Sequence, residues 1–386
     1  MQNGHMVSRL LAKLLVDSPK SVLLLGPRQT GKSTLLENLK PDLIINLNDD
    51  QTYLDFKSNP SEIYERLSAT KAKTILIDEI QRHPTLLNTI QVLLDADKSK
   101  KNLKFYISGS SARKLKRGQA NLLPGRLFSY EISGLCAAEL NYDFDANKAL
   151  QYGTLPEPYL SKNDKFNQKL LQSYSAIYLR EEIMAEAITR NLEGFSRFIM
   201  VAAENSGLAV DFTKIAKQAK IDRKQCSRFY EILEDTLIAN QIQVYAETDA
   251  DIVKRPKYYF FDTGVLNGLL QNFSASNDRK GYLFEHLVVN QILASAKAHD
   301  QQIKLSYFRT RAGYEVDLIL ELNQKIYAIE VKSGRITADE VKKLEEFKKY
   351  NPKVSQYFIV NLDSTQRKIS QTLICNLSTF LKKVGL

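Results

Sequence analysis

A glycine-rich segment has the residue types and the spacing that phosphate binding requires. Gly26, Pro27, Arg28, Gln29, Thr30, Gly31, Lys32 and Ser33 follow the pattern G-x-x-x-x-G-K-[ST], and a helix leaves the segment through Thr34. The glycines let backbone N–H groups point at phosphate oxygens, and the N-terminus of the helix adds positive dipole. We expect Lys32 to contact the β- and γ-phosphates of ATP and Ser33 to bind Mg²⁺. A plain glycine-rich turn with an exposed lysine is the alternative.

An apolar run that ends in two carboxylates supplies the second part of such a site. Residues 74–77 are followed directly by Asp78 and Glu79. Asp78 suits the outer edge of the magnesium shell, and Glu79 suits the polarisation of the attacking water. A solvated strand end gives the same pattern, so the glycine-rich segment is what favours catalysis. Ser108 or Ser110 would lie between these acids and the γ-phosphate, unless the two serines only form a Ser-Gly turn.

Three charged residues in the last third of the chain form a second group suited to chemistry. Asp317 lies on one predicted strand, and Glu330 and Lys332 share a face of the next because side chains alternate along a strand. This set resembles the metal core of restriction-endonuclease-like folds, although Val316 stands where that fold customarily has proline. The resemblance implies that Asp317, Glu330 and also Glu285 bind Mg²⁺, and that Lys332 positions or activates water. Charged residues alternating out of a half-buried hairpin are the alternative.

The segment 211–238 has the pattern of two helices separated by a turn near 220–222. Asp222 suits the N-cap of the second helix, whose first turns carry Arg223, Lys224 and Arg228. In a helix-turn-helix, such residues contact base edges or phosphates in the major groove. The alternative is that they are only solvated, since winged-helix units also connect proteins.

Alternating strands and helices must position these groups. In the first 140 residues, apolar runs predict strands at 21–25, 43–47, 74–77, 105–108 and 127–132. Helical periodicity between these runs predicts a parallel sheet that is covered on both faces. Residues 142–202 are predicted to be helical. Further strands are predicted at 305–308, 316–320, 326–331 and 356–360. The fold class is therefore α/β.

Taken together, the motifs resemble the AAA+-type ATPases of bacteria and archaea that carry a C-terminal domain of unknown function. The resemblance is carried by residues 26–33, 78–81, 108–111, 123–126, 178–180, 257–264, 313–317 and 330–332. It implies that Arg126 contacts the γ-phosphate, in its own subunit or from a neighbouring one, where a guanidinium offsets charge in phosphoryl transfer. A salt bridge to a residue such as Glu131 is the alternative.

Composition narrows the partners and the compartment. The chain carries 54 Lys and Arg against 44 Asp and Glu, a net charge of +10 that suits a nucleic acid or another polyanion, unless it only reflects a Lys-rich composition. We expect nucleic acid as the partner, DNA more than RNA. A basic cluster at 113–117 either contacts phosphates or is a solvated loop. Three distant cysteines and four histidines without metal-ligand spacing argue against a disulfide framework and a zinc enzyme, and for the cytoplasm. No run approaches the ~20 apolar residues of a membrane span.

These observations predict four parts. They are an AAA+-like P-loop ATPase domain at 1–140, a helical lid or connector at 141–203, a winged-helix-like segment at 204–250 and a nuclease-like α/β domain at 251–386. The predicted function is Mg²⁺-dependent ATP binding and hydrolysis coupled to a nucleic-acid transaction, including metal-dependent DNA cleavage by the C-terminal domain. The alternative is an ATP-gated switch whose C-terminal domain is an inactive docking platform for protein or DNA. Self-association or a protein partner stays open.

Overall fold

The structure, a computed structural model, describes residues 7–96, 103–110, 125–178, 191–245 and 255–386. The chain divides into two units, one of residues 1–133 with 235–237 and one of residues 134–234 with 238–386. Some predicted features lie outside the described residues: the basic cluster at 113–117 and the motif positions Ser111, Leu123, Pro124, Leu179 and Arg180.

A five-stranded parallel sheet forms the centre of the first unit. Its strands are β1 (Ser21–Leu25), β2 (Leu43–Asn46), β3 (Thr74–Asp78), β4 (Lys104–Gly109) and β5 (Leu127–Glu131). They lie in the order β2-β3-β4-β1-β5, and every neighbouring pair is parallel. The predicted parallel sheet is confirmed, with strand bounds within one residue of those expected.

Helices cover both faces of this sheet, because alternate side chains of its strands are apolar on both sides. The helices are α1 (Leu11–Asp17), α2 (Lys32–Asn38), α3 (Asp50–Ser58), α4 (Glu62–Ala69) and α5 (Leu86–Ala96). On one face, Leu24 packs in a cluster with Leu11 and Leu36. On the other face, Leu23 packs in a cluster with Ile90. Since all strands run the same way, their carboxyl ends meet at one edge.

The second unit begins with helices. They are α6 (Ala146–Tyr152), α7 (Pro156–Leu160), α8 (Asp164–Ser173), α9 (Leu192–Glu204), α10 (Phe212–Ala219) and α11 (Arg223–Asp235). A π-helical turn, Tyr174–Tyr178, follows α8. Between α10 and α11, Lys220 takes a left-handed conformation with φ of 53°. Asp222 Oδ1 accepts a hydrogen bond of 2.8 Å from the N–H of Gln225, which caps α11.

An eight-stranded mixed sheet follows. Its strands are β6 (Ala239–Val244), β7 (Lys257–Phe260), β8 (Ile303–Arg309), β9 (Glu315–Leu322), β10 (Lys325–Lys332), β11 (Gln356–Asn361), β12 (Arg367–Ile369) and β13 (Thr372–Asn376). Their order is β12-β13-β11-β10-β9-β8-β6-β7. β9 is antiparallel to both of its neighbours, β8 and β10. β11 is parallel to both of its neighbours, β10 and β13. The helices are α12 (Thr263–Leu269), α13 (Asn277–Ala298), α14 (Ala338–Glu345) and α15 (Leu377–Val384).

A buried aspartate explains part of the segment 257–264 in structural terms. Asp262 Oδ1 accepts a hydrogen bond from the N–H of Val265, which caps α12, and Oδ2 accepts one of 2.6 Å from the N–H of Thr154. Gly153 has φ of 71°, and a Cβ there would lie 1.9 Å from Asp262 Oδ1. Burial raises the pKa of Asp262, and the backbone N–H donors oppose that rise. Asp262 therefore joins two segments of the second unit.

Two further features concern the helices and the cysteines of the chain. Among the helices that the structure describes, none is both long enough and apolar enough to cross a membrane. Cys136, Cys226 and Cys375 are buried, and none of the three is in a disulfide.

Candidate functional site

The loop between β1 and α2 holds its lysine inside the backbone curve. Lys32 is only 4% exposed. Its Nζ donates to the carbonyl oxygens of Gly26 and Pro27, at 2.8 and 2.9 Å. Gln29 has φ of 60° and Gly31 has φ of 88°, which gives the loop the curvature of a phosphate-binding nest. Phosphate oxygens that entered this loop would therefore meet an ammonium that is already desolvated.

A residue that sequence reasoning missed anchors this loop. Arg9 donates from Nη1 to the carbonyl of Thr30 at 2.6 Å and from Nη2 to the carbonyl of Ser133 at 2.9 Å. Arg9 precedes α1 and belongs to no motif, so no spacing could have identified it. On the other side of the loop, a Cβ at Gly26 would lie 2.4 Å from the carbonyl oxygen of Ile132. Only glycine fits there.

The remaining motif residues occupy the outer part of the loop and the first turn of α2. Arg28 and Gln29 are partly exposed at the loop, and Ser33 is partly exposed while Thr34 is exposed on α2. The N–H of Leu35 donates to the carbonyl of Gly31, so the helix begins directly at the loop. The hydroxyl of Ser33 is a hard oxygen of the kind that Mg²⁺ accepts.

The carboxyl ends of β3 and β4 bring an acid and a serine together beside β1. Ser108 is fully buried, and its hydroxyl donates to Asp78 Oδ1 while accepting a hydrogen bond of 3.1 Å from the N–H of Glu79. In the sheet register, Ser108 lies opposite Leu24, two residues before Gly26. The structure thus brings Asp78 and Ser108 to the edge that carries the phosphate loop, as the sequence predicts for a parallel sheet.

Glu79 is held by a residue outside the predicted set. Its backbone has φ of 60°, a left-handed conformation that costs energy for a residue other than glycine. Gln81 Nε2 donates to Glu79 Oε2 and to Ser110 Oγ, the latter at 2.9 Å. The N–H of Ser110 donates to Gln81 Oε1 at 3.3 Å. Ser110 is therefore linked to Glu79 through Gln81, which sequence reasoning quoted only as part of a motif.

Arg126, expected at the γ-phosphate, forms an ion pair on its own unit. Its Nε donates to Asp95 Oδ1 of α5 at 2.7 Å. The hydrogen bond with Asp95 raises the pKa of the guanidinium. Arg126 thus forms a salt bridge, as the alternative expected, and its partner there is Asp95. The side chain is 35% exposed, so its role at a γ-phosphate stays a prediction.

In the second unit, the three charged residues predicted from strand spacing do come together. The N–H of Val331 donates to Asp317 Oδ2 at 2.9 Å, which joins β9 to β10 beside the site. Lys332 Nζ lies 2.7 Å from Glu330 Oε1. Burial raises the pKa of Asp317 well above its ordinary value, and the charges of Glu330 and Glu285 raise it further. For Lys332, burial lowers the pKa, but the charge and hydrogen bond of Glu330 together with the charges of Asp317 and Glu340 outweigh this effect, so the pKa is raised.

Further residues complete an acidic cluster, which we define as Glu285, Glu315, Asp317 and Glu330. Tyr259 donates its hydroxyl to Glu285 Oε1 at 2.5 Å. Lys257 Nζ lies 3.1 Å from Glu315 Oε1 and 3.6 Å from Glu285 Oε1. Lys257, Tyr259 and Glu315 were absent from the predicted site. Glu315 had a signal, because it precedes Asp317 by two residues on the same strand face.

The cluster offers hard oxygen ligands, but few of them together. Within the described ranges, no group of three or more His, Cys, Asp and Glu side chains is arranged to hold a metal ion. Glu285 is engaged by Tyr259 and Lys257, which leaves Asp317 and Glu330 as the pair of carboxylates beside Lys332. Carboxylate oxygens fit Mg²⁺ or Mn²⁺, so these two residues would hold such an ion.

The first turns of α11 form a basic surface. Arg223, Lys224 and Arg228 are exposed, and with Asp222 and Gln225 they line an open hollow of about 440 Å³. The first two turns of α11 present these side chains to solvent.

Three sequence families match the chain in succession. Residues 18–141 match the family described as AAA domain. Residues 143–276 match a domain of unknown function (DUF8612), and residues 280–380 match another (DUF4143). The chain therefore carries an AAA domain followed by two domains of unknown function. The prediction of an ATP-binding P-loop domain of the AAA type is confirmed.

Two relatives and two solved structures are similar to this chain. Two uncharacterised proteins, Mb2031c of Mycobacterium bovis and Rv2008c of Mycobacterium tuberculosis, are each 27% identical over 324 residues, which is 81% of this chain and 70% of theirs. A solved replication initiator DnaA, bound to AMPPCP and single-stranded DNA, is 13% identical with a TM-score of 0.27 over 61% of this chain and 89% of that one. A STAND protein from Pyrococcus horikoshii is 15% identical with a TM-score of 0.24 over 76% and 47%. These scores carry no argument about fold or function.

Proposed function

We propose that the first unit is a Mg²⁺-dependent ATPase. The observation that carries this is the meeting of Lys32, Asp78 and Ser108 at one edge of a parallel sheet, with Lys32 buried in the loop after β1. Lys32 holds the β- and γ-phosphates, while Ser33 and Asp78 serve the metal. Bound Mg²⁺ offsets the charge of the phosphates during transfer. Glu79 orients and polarises the attacking water.

The test compares two substitutions in the first unit. Lys32→Ala should weaken nucleotide binding, because the loop loses the charge that faces the phosphates. Glu79→Gln should leave binding intact and reduce turnover by 10²-fold or more, on the order expected when a general base is removed. Lys13→Ala and Glu65→Gln, at exposed positions of α1 and α4, are the matched controls. Equal turnover in the wild type and in Glu79→Gln would refute the role of Glu79.

A second function is favoured by the second unit: metal-dependent cleavage of nucleic acid. The succession α13, β8, β9, β10, α14, β11, with β10 and β11 parallel, supports a restriction-endonuclease-like assignment. Asp317 and Glu330 hold the divalent ion, which supplies Lewis-acid stabilisation of the phosphate when bound. Lys332 positions or activates the attacking water. The pairing of Asp317, Glu330 and Lys332 on neighbouring strands is the supporting observation.

The same unit offers a surface for nucleic acid, DNA more than RNA. Helices α9, α10 and α11, the bridge between Ala209 and Lys257, and the antiparallel pair β6 and β7 together support a winged-helix assignment for the predicted segment 204–250. Arg223, Lys224 and Arg228 would contact phosphates. The three buried cysteines, none of which is in a disulfide, support a reducing, cytoplasmic setting. If Arg126 contacts the γ-phosphate of a neighbouring subunit, the protein has to self-associate.

Cleavage assays separate the nuclease from the docking platform. Plasmid and single-stranded DNA are incubated with the full chain and Mg²⁺ or Mn²⁺, with and without ATP. Asp317→Ala and Glu330→Ala should abolish cleavage while ATP turnover stays near that of the wild type. If the wild type binds DNA without cutting it under any of these conditions, the platform is the better assignment. If turnover fell together with cleavage, the two sites could not be treated as separate functions.

A further inference from the structure

A second lysine reaches the acidic cluster from outside the strands that carry it. Lys257 is the first residue of β7 and pairs in register with Ile242 of β6. Its side chain is only 6% exposed, and Nζ lies 4.7 Å from the centroid of the Tyr307 ring. The position is thus fixed by strand pairing, and the ammonium is removed from most of its water.

The contacts of Lys257 close one side of the cluster. Its ammonium spans Glu315 of β9 and Glu285 of α13, at 3.1 and 3.6 Å. Tyr259 occupies Glu285 as well, through a hydrogen bond of 2.5 Å. The carboxylate of Glu285 is therefore already supplied with a cation and a hydrogen-bond donor.

The lysine on the other side of the cluster is more exposed. Asp317 and Glu330 face Lys332, whose side chain is 33% exposed and belongs to the same strand as Glu330. Four carboxylates lie near these two lysines, and Arg309 Nη1 also lies 3.6 Å from Glu315 Oε2. Removal of either lysine therefore leaves like charges together with less compensation. Lys332 has room to turn towards solvent, whereas Lys257 is enclosed.

We propose that Lys257 is a built-in counter-ion that takes the place of a cation between Glu285 and Glu315, so that only Asp317 and Glu330 are left to bind a divalent ion. This rests on the proposed function of the second unit for the ion at Asp317 and Glu330, but not for the role of Lys257 itself. Lys257 is thereby a positioning residue: it limits the site to one ion and keeps the cluster folded without metal.

Lys257→Met tests the proposal, because methionine preserves apolar contact with Tyr307 and removes the charge. Lys304→Met is the matched control, since Lys304 also pairs with a glutamate on β9, Glu321, at 2.9 Å but is 68% exposed. In a chelator, Lys257→Met should lower the Tm of the full chain by about 10 °C, and Lys304→Met by about 2 °C or less. Millimolar Mn²⁺ should restore most of the loss in Lys257→Met only.

Calorimetric titration with Mn²⁺, in the absence of nucleotide, then measures how many Mn²⁺ ions each chain binds. Lys257→Met should bind one ion more than the wild type, since Glu285 and Glu315 lose the ammonium that lies between them. Any ion bound by the first unit cancels in this comparison. Equal ion counts, or Tm values in chelator that match the wild type, would overturn the proposal. A wild type that binds no ion while Lys257→Met binds one would reject the proposed nuclease site and keep the counter-ion.

If Lys257→Met does not fold in chelator, the double variant Lys257→Met with Glu315→Gln decides the matter. It removes one positive and one negative charge, so the cluster regains its balance. The double variant should fold in chelator and should not be stabilised by Mn²⁺ more than the wild type is. A double variant that stays unfolded would show that Lys257 acts through packing alone, against the proposal.

Discussion

Acidification should destabilise the second unit through His286, whose ring is buried beside the acidic cluster. His286 is 1% exposed. Its Nε2 lies 2.7 Å from Ser206 Oγ and its Nδ1 lies 3.0 Å from the carbonyl oxygen of Tyr282. The rings of Tyr259 and Tyr282 flank it, with centroids 4.9 and 4.5 Å away. Burial lowers the pKa of His286 to about 4, because the charged ring would lose its hydration.

The size of the effect follows from the two pKa values. An unfolded chain binds this proton with a pKa of about 6.5, and the folded chain binds it at about 4. The contribution of the neutral His286 ring to the free energy of unfolding is therefore fully present above about pH 6.5. It falls as the pH drops and is fully lost below about pH 4. Each pKa unit corresponds to about 1.4 kcal/mol, so the loss totals about 3 kcal/mol. About 2 kcal/mol of it has occurred by pH 5.

Denaturant unfolding of the full chain at pH 8 and pH 5 measures this difference for the wild type and for His286→Gln. The wild type alone does not suffice, because the raised pKa of Asp317 acts in the opposite direction and stabilises the fold as the pH falls. That contribution is present in both chains and cancels. We expect His286→Gln to be less stable at pH 8 and to lose about 2 kcal/mol less than the wild type on acidification.

A matched control lies on the same helix. His299 also has its Nδ1 near the carbonyl four residues back, Ser295, at 2.8 Å, but it is only partly buried at the end of α13. His299→Gln should keep the pH dependence of the wild type. If His286→Gln and the wild type lose the same free energy between pH 8 and pH 5, the ring is not buried in its neutral form and the reasoning fails.

Three further predictions concern the second unit. Asp317→Asn should raise the Tm in chelator by about 3 °C, because a buried carboxylate beside like charges is replaced by a neutral amide; an unchanged or lower Tm in calorimetry would contradict this. Gly153→Ala should cost about 3 kcal/mol or more of unfolding free energy, since its Cβ would overlap the carboxylate of Asp262; a cost below 1 kcal/mol, on the scale of an ordinary surface change, would argue against the packing described. Arg223→Ala with Lys224→Ala should weaken DNA binding and reduce the slope of log K against log salt by about 2, as two phosphate contacts require; binding that is flat with salt in the wild type would exclude a phosphate-contacting surface.

The first sheet could be predicted from sequence because its strands are buried on both faces. Val22, Leu23, Leu24 and Leu25 are all buried, so an unbroken apolar run marks β1 without ambiguity. The phosphate loop and the acids at the end of β3 follow from such strands. Arg9 could not be found this way, because its two hydrogen bonds depend on how the loop and residue 133 meet in three dimensions.

In the second unit, the sequence predicted several strands and helices but not where one part of the unit ends and the next begins. The predicted boundary at 250/251 falls between β6 and β7, which pair with each other, and β6 also pairs with β8. Periodicity predicted β8, β9, β10 and β11 but not β6 or β7, and it carries no information on pairing across so long a separation in the chain. The division into a winged-helix-like segment and a nuclease-like domain therefore stays a prediction about ancestry and function, while the sheet itself is continuous.

Because the sheet of the second unit is continuous, the candidate site includes residues of β7 as well as residues of β9 and β10. The families that match the chain meet between residues 276 and 280, which separates Lys257 and Tyr259 from the acidic cluster. Yet these two side chains are the partners of Glu285, and Lys257 also holds Glu315. Without its enclosed lysine, this cluster of four carboxylates would carry less compensated charge in a partly buried place, which is costly. The chemistry of the second unit thus depends on β7 as much as on β9 and β10, and substitutions in β7 should be analysed as changes to the site.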